Sequence, residues 1–103
     1  MVADYMADGL SMRIERRAKC GFMDKGDIAG FEIAGQPCVV ECKNRSRMEL
    51  PQWLKEAERE ACNAGTLFGI VVHKRRGCGE KTFGDTYVTM TLDTLLDIAR
   101  EAR

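Results

Sequence analysis

Three residues with complementary chemistry stand close together in the middle of the chain. Asp27 lies in the run GDIAGF, and Glu41 and Lys43 lie in the later run VVECKN. Because side chains alternate along a strand, Glu41 and Lys43 share one face with Val39. A turn centred near Gly35 would place Asp27 across a hairpin from Lys43 and diagonal to Glu41, whereas a turn centred after Gly35 would shift the pairing by one residue. The sequence favours a cluster of two acids and one lysine.

Such a cluster needs a compensating charge. Two carboxylates held at ~5 Å repel each other by roughly 3 kcal/mol at an effective dielectric constant of about 20. A divalent cation would supply the missing charge, and hard oxygen ligands suit Mg²⁺ or Mn²⁺. The cation can polarise a phosphoryl oxygen and lower the pKa of a bound water, and Lys43 can orient that water or neutralise charge in the transition state. These parts together predict a phosphodiester hydrolase.

Each of these residues also has an ordinary structural interpretation. Asp27 could be a turn residue that caps its own loop beside Gly26. Glu41 and Lys43 could form an exposed ion pair at the end of a strand, which contributes little to stability. The apolar residues that precede Glu41 indicate an interior strand, where charged side chains are unusual unless they have a function. The three residues taken together therefore favour the metal site.

The elements that must position these residues follow from periodicity and turn signals. Pro51 suits the first turn of the central helix, Gly65 stands just past its end, and Thr91 can cap the last helix. The predicted elements are a helix over 2–7 ended by Gly9, a strand over 11–19, a loop over 20–26, strands over 28–33 and 38–43 joined by Ala-Gly-Gln-Pro, a helix from residue 50, a strand over 66–73, a basic glycine-rich loop, a strand over 85–90 and a helix over 91–103. The order α-β-β-β-α-β-β-α predicts a single α/β domain over 1–103, with a mixed central sheet of about five strands flanked by helices.

The bulk composition narrows the class of protein further. A chain of 103 residues holds one core, and its 16 basic and 16 acidic residues cancel, so net charge alone points to neither nucleic acid nor membrane. The five cysteines form an odd set without a secretory signal, which indicates reduced thiols in a cytosol. No apolar run approaches the ~20 residues that span a bilayer. We therefore expect a soluble cytoplasmic protein without a membrane partner.

Local clusters of basic residues favour nucleic acid as the partner. Acidic residues concentrate on the predicted central helix at Glu56, Glu58 and Glu60, so a neutral chain can still present one basic face to a phosphate backbone. Each basic cluster could instead be a solvated edge of the protein. For Arg16 and Arg17, neither DNA binding nor the solvated edge is favoured. The only histidine lies at a strand end, near the substrate or simply hydrogen-bonded there. The candidate DNA-binding residues are Arg16, Arg17, Arg45, Arg47, His73, Lys74, Arg75 and Arg76.

Several of these motifs together resemble a known family. The stretches IERRAKCGFMDKGDIAGF, VVECKN and VVHKRRG and the Trp53-containing helix are similar to small Holliday junction resolvase-like endonucleases of actinobacteria and their phages, within the PD-(D/E)xK nuclease superfamily. The similarity runs from residue 12 to about residue 92. It implies a restriction-endonuclease-like core, Mg²⁺ (or Mn²⁺) held by Asp27, Glu41 and the main-chain carbonyl of Cys42, and Lys43 as the catalytic lysine. It also implies a support role near the metal for Glu56.

The same resemblance implies a substrate and an assembly. Such enzymes act on branched DNA in a bacterial or phage-infected cell, and a junction that is cut on two strands suits a homodimer with paired sites. The sequence departs from the superfamily at Gly26, where proline is common, and in the first helix, which lacks the glutamate of many relatives. Asp4, Asp8 or Glu15 could take the place of that glutamate. The alternatives are a nuclease of the same fold that cuts flaps, nicks or linear duplex, and an inactive DNA-binding module.

Overall fold

Over the described residues, the fold is an α/β arrangement of three α-helices and two separate sheets. The computed structural model describes residues 1–17, 26–75, 77 and 79–103. A two-stranded antiparallel sheet pairs β1 with β2, and a four-stranded mixed sheet has the order β3-β4-β5-β6, in which only β4 and β5 are parallel. The elements are α1 (Val2–Leu10), β1 (Glu15–Arg16), β2 (Ile28–Ala29), β3 (Glu32–Ile33), β4 (Gln36–Lys43), α2 (Leu50–Ala64), β5 (Phe68–His73), a 3₁₀-helix (Glu80–Asp85), β6 (Tyr87–Thr89) and α3 (Leu92–Glu101).

The α/β class and the mixed sheet are confirmed, but the described central sheet has four strands instead of about five. The strand predicted over 28–33 breaks at Gly30, where φ is +96° and a Cβ atom would lie 2.5 Å from the Arg13 carbonyl oxygen. Only glycine fits so close to another main chain in the left-handed region. The first half of the run therefore pairs with β1, and only the second half pairs with β4. Most of the loop predicted over 20–26 lies outside the described residues.

The hairpin between β3 and β4 has a tighter turn than the sequence suggested. Ala34 and Gly35 both have positive φ angles, 52° and 78°, and Ile33 pairs with Gln36 across them. Two successive positive φ angles are typical of the two-residue turn that matches strand twist. The turn is thus centred between Ala34 and Gly35, so the predicted pairing of Asp27 with Lys43 is not formed.

The side chains of β4 alternate between two faces as predicted, and the two faces pack against different helices. One face contributes Cys38, Val40 and Cys42 to a core with β5, α1 and α3. The other face carries Val39, Glu41 and Lys43 toward α2, where Trp53, Ala57 and Val71 form a second buried cluster. The acid and the lysine therefore lie on the side of the sheet that α2 covers.

Helix α2 is held unusually close to the sheet. A Cβ atom on Gly69 of β5 would lie 2.5 Å from the main-chain oxygen of Ala57, so the helix backbone rests directly on the strand. Both helix boundaries were predicted: proline stands in the first turn, and Gly65 caps the C-terminus with a φ of 71°. The close approach brings the side chains of α2 within reach of Glu41 and Lys43.

The remaining helices differ in how well the sequence predicted them. Helix α1 continues past Gly9, and Ser11 takes the left-handed capping position with a φ of 53°, so the predicted stop at Gly9 is wrong. The predicted cap of α3 is confirmed, because Thr91 Oγ1 accepts a hydrogen bond of 3.1 Å from the Thr94 N–H. Part of the predicted glycine-rich loop is the 3₁₀-helix. Within the described ranges, no helix has both the length and the apolar character needed to cross a membrane.

The described cysteines carry free thiols. Cys38 is buried, Cys42 is half-buried and Cys62 is exposed. Burial raises the pKa of Cys38 to about 12, so its thiol stays protonated and behaves as a small apolar side chain. Cys20 and Cys78 lie outside the described residues.

Candidate active site

Glu41 is a buried acid in the middle of the candidate site. Its side chain lies between β4 and α2 and the residue is only 4% exposed. Burial raises the pKa of Glu41 to about 10, and hydrogen bonds and charge repulsion from the Glu60 and Asp27 carboxyl groups act in the same direction. Without a nearby cation, the Glu41 carboxyl therefore keeps its proton at neutral pH.

Asp27 is fixed beside Glu41 by the main chain of β4. Its N–H donates to the Val40 carbonyl oxygen at 2.9 Å, and its Oδ2 atom accepts a hydrogen bond of 2.7 Å from the Cys42 N–H. Gly26 makes this placement possible with a φ of +95°, and a Cβ atom there would lie 2.9 Å from Val39 Cγ1. Proline, with φ near −65°, cannot adopt this conformation. In this chain, the glycine at position 26 is a structural requirement.

Glu60 is a third acid in the cluster, and it was missed in the sequence. It lies on α2, is 3% exposed, and shares a hydrogen bond with Glu41. The sequence interpretation placed it with the surface acids Glu56 and Glu58. The available signal was its spacing: Glu60 falls seven residues after Trp53 and three after Ala57, on the apolar stripe of the helix.

The acids suggested for the first helix region stay outside this cluster. Asp4 and Asp8 are exposed on α1, whose inward face consists of apolar residues. Glu15 is exposed and accepts a hydrogen bond of 2.8 Å from Arg13 Nε. The structure therefore supplies the third carboxyl of the cluster from α2.

Lys43 stands at the rim of the cluster and is held by Glu56. The Lys43 Nζ atom lies 2.7 Å from Glu56 Oε2 and 4.0 Å from Glu41 Oε1. Burial opposes the lysine charge, but the hydrogen bond to Glu56 and the negative charges of both acids raise its pKa above the ordinary value. Burial also opposes the Glu56 charge, but the hydrogen bond from Lys43 outweighs the effect of burial. The Glu56 pKa is therefore lowered. Glu56 thus supports the lysine, close to the predicted metal site.

The donor atoms in this region suit a hard divalent cation. Glu41 Oε2 is buried without a hydrogen-bond partner among the described residues. The Lys43 carbonyl oxygen accepts a hydrogen bond of 3.1 Å from the Lys74 N–H. Because the main-chain groups of successive strand residues point to opposite sides, those of Cys42 point away from Lys74, and the Cys42 N–H bonds to Asp27. The predicted ligand set of Asp27, Glu41 and the main-chain carbonyl of Cys42 stays a prediction. This set has only two side chains, and the described residues contain no group of three or more His, Cys, Asp or Glu side chains arranged to hold a metal ion.

A basic surface adjoins Lys43 at the C-terminal ends of β4 and β5. A depression of about 380 Å³ is lined by Lys43, Arg45, Arg47 and Glu56 among others. A second depression of about 650 Å³ shares Arg45 with the first and extends to Lys74, Arg75 and Tyr87. The four basic residues beyond Lys43 are exposed. We call this surface the basic groove; its basic residues are Arg45, Arg47, Lys74 and Arg75.

His73 lies beneath the basic groove instead of lining its open part. The residue is 4% exposed, and its Nε2 atom is 2.8 Å from Thr89 Oγ1. Its ring packs between Trp53 and Tyr87, with ring centroids 5.8 Å and 5.6 Å away, and the guanidinium of Arg75 lies over the Tyr87 ring. Burial lowers the pKa of His73, which favours the neutral ring. His73 therefore supports the aromatic residues under the groove.

The remaining candidate DNA-binding residues lie elsewhere. Arg16 is exposed on β1 of the two-stranded sheet and lines neither depression of the basic groove. Arg17 is half-buried, and its N–H donates to the Asp27 carbonyl oxygen at 2.7 Å, so its main chain helps to hold the site. Arg76 lies outside the described residues.

Comparisons with known proteins give the chain no family. No protein-family model, no curated protein and no solved structure matched it. The functional argument therefore rests on the residues and on their arrangement.

Proposed function

We propose that the protein is a metal-dependent endodeoxyribonuclease of the PD-(D/E)xK type that hydrolyses phosphodiester bonds in branched DNA, with a four-way Holliday junction as its substrate. The observation that carries the proposal is the arrangement around Glu41. Two hydrogen-bonded acids, Asp27 and Glu41, lie beside a paired lysine at the start of a basic groove. An acid with a strongly raised pKa next to a charged partner, as at Glu41, favours a catalytic role.

The residues of the chain have distinct roles in this proposal. Asp27, Glu41 and the main-chain carbonyl of Cys42 would hold Mg²⁺ or Mn²⁺, which supplies a Lewis acid and an activated water for attack at phosphorus. Lys43 presents a fixed positive charge to the phosphate, and Glu56 holds that charge in position. Glu60 keeps the Glu41 carboxyl oriented through their shared hydrogen bond.

The basic groove gives a reason for DNA as the substrate. Arg45, Arg47, Lys74 and Arg75 are exposed around one end of the sheet, next to Lys43. Contacts from such residues go mainly to phosphates, so they position a duplex without reading its sequence. A protein that binds DNA without sequence readout can select its substrate by shape, which suits a branched structure in the cytoplasm of a bacterial or phage-infected cell.

One observation favours a second candidate function, an inactive DNA-binding module. Glu41 is covered by α2, and α1 offers no glutamate to the site. If the carboxyl keeps its proton when Mg²⁺ is present, the groove still binds DNA but cleavage fails. A nuclease that cuts flaps, nicks or linear duplex keeps the same chemistry and differs only in the shape of its substrate.

The test is cleavage of a labelled four-way junction beside a linear duplex of matched sequence, with Mg²⁺ or with chelator. The variants are Lys43→Ala and, as a matched control, Lys55→Ala, which removes an exposed lysine on α2. We expect paired nicks in the junction only with Mg²⁺, retained in Lys55→Ala and lost in Lys43→Ala.

The other outcomes separate the alternatives. Binding of the junction without cleavage by the wild-type protein would support the inactive module. Equal cleavage of flaps, nicks or linear duplex would keep the chemistry and reject the junction as the preferred substrate. Cleavage that survives both chelator and Lys43→Ala would refute the proposed site.

A further inference from the structure

Helix α3 turns its leucines away from the protein. Leu92, Leu95 and Leu96 are 70%, 50% and 45% exposed, whereas Thr94 is only 6% exposed. The inward side of the helix consists of Thr94 and Ile98, and the latter packs against the core. A helix that met only water on its outer side would carry polar residues there.

The exposed leucines form one continuous stripe. Positions 92, 95, 96 and 99 follow the i, i+3, i+4, i+7 spacing of a single helix face. Val88 of the edge strand β6 is 53% exposed and pairs with Val72, whose side chain faces the core beneath α3, so Val88 lies on the same side of the sheet as the helix. We call Leu92, Leu95, Leu96 and Val88 the outer leucine face.

We propose that the outer leucine face binds a second copy of this chain, with the two α3 helices packed antiparallel about a two-fold axis. The charges beside the stripe argue for this partner. Asp93 and Arg100 are seven residues, or about two turns, apart and therefore flank the stripe on the same side, near opposite ends of the helix. Under a two-fold axis, Asp93 of each helix meets Arg100 of the partner subunit.

The stripe itself is also self-complementary in that arrangement. Leu95 and Leu96 lie at the centre of the stripe, so an antiparallel copy places leucine against leucine and brings Leu92 next to Ala99. A standard interface buries about 800 Å² on each partner, more than two helices of ten residues can supply, so Val88 on the edge strand must contribute. We expect a dimer with a dissociation constant on the order of 10 µM.

The first test is sedimentation velocity of the full chain from about 1 to 200 µM, which brackets that affinity. The double variant Leu95→Gln with Leu96→Gln should weaken the dimer at least tenfold, because central apolar residues contribute most to an interface. Leu67→Gln is the matched control, since Leu67 is 64% exposed but lies outside α3 and β6. It should leave the dimer unchanged.

Charge reversal tests the antiparallel arrangement itself. Asp93→Lys and Arg100→Glu should each weaken the dimer, because each places like charges together at both ends of the interface. The double variant restores opposite charges and should recover the wild-type affinity. Arg100 also pairs with Asp97 on its own helix, so circular dichroism of every variant checks that α3 is still folded.

The possible results are decisive for this surface. The inference is overturned if the wild-type chain stays monomeric at the highest concentration. It is also overturned if the α3 substitutions leave the dissociation constant of the dimer unchanged. A charge-reversed double variant that does not recover affinity overturns the antiparallel packing. None of these measurements involves DNA or metal, so failure here is distinct from failure of the proposed nuclease activity.

Discussion

Replacing Glu41 by glutamine should make the protein more stable at neutral and alkaline pH. The folded state raises the Glu41 pKa from 4.5 to about 10, so between these values the folded protein binds a proton that the unfolded protein releases. Stability from this group is fully present below pH 4.5 and declines as the pH rises toward 10. The slope is about 1.4 kcal/mol per pH unit, which amounts to at most ~4 kcal/mol at pH 7.5. Glutamine has a similar shape and avoids this cost.

Urea denaturation followed by circular dichroism measures the effect directly. Wild type and Glu41→Gln are compared from pH 5 to pH 8 in the presence of chelator, with Glu58→Gln as the control at an exposed position of α2. The difference between wild type and Glu41→Gln should be small at pH 5 and grow steadily in favour of the variant. The control should follow the wild type at every pH. A difference that stays constant with pH would refute the assignment of a raised pKa to Glu41.

Three further predictions follow from the site and its support. Mg²⁺ added at pH 8 should raise the thermal unfolding midpoint of the wild type and leave that of Glu41→Gln unchanged, because a cation that binds only the folded state stabilises it. Equal shifts of the two midpoints in thermal melts would argue against this site. Gly69→Ala should cost about 1–3 kcal/mol in urea unfolding because its Cβ would strike α2, whereas Gly79→Ala, with open space around it, should cost much less. Lys74→Ala combined with Arg75→Ala should reduce the slope of log affinity against log salt by about 2 for junction DNA, and an unchanged slope in filter binding would remove both residues from the interface.

The elements with strong local signals were predictable from the sequence. Helix α2 combines a periodic apolar stripe with proline at its start and glycine after its end, and β5 is a continuous apolar run that is buried along its whole length. The side-chain alternation of β4 also followed from its pattern. These features depend on residues that are close in sequence, which is why they could be read without the structure.

The features that depend on distant residues were not predictable. The break at Gly30 results from close contact with the Arg13 main chain, and the hairpin register depends on Ala34, which is not an obvious residue for a positive φ angle. Glu60 was overlooked because its charge suggested a surface position, although its spacing placed it on the apolar stripe. The nuclease activity, the metal and the DNA partner stay predictions.

The contact between Gly69 and the Ala57 main chain also has a consequence for mutational tolerance. In a saturation library selected only for soluble expression, position 69 should be among the most restricted in the chain, because every side chain larger than hydrogen meets the helix backbone. Positions 41 and 43 should accept several polar or neutral residues in the same selection. A second selection for function would restrict all three positions. Comparing the two selections would therefore separate the residues that build the scaffold from those that act on a substrate.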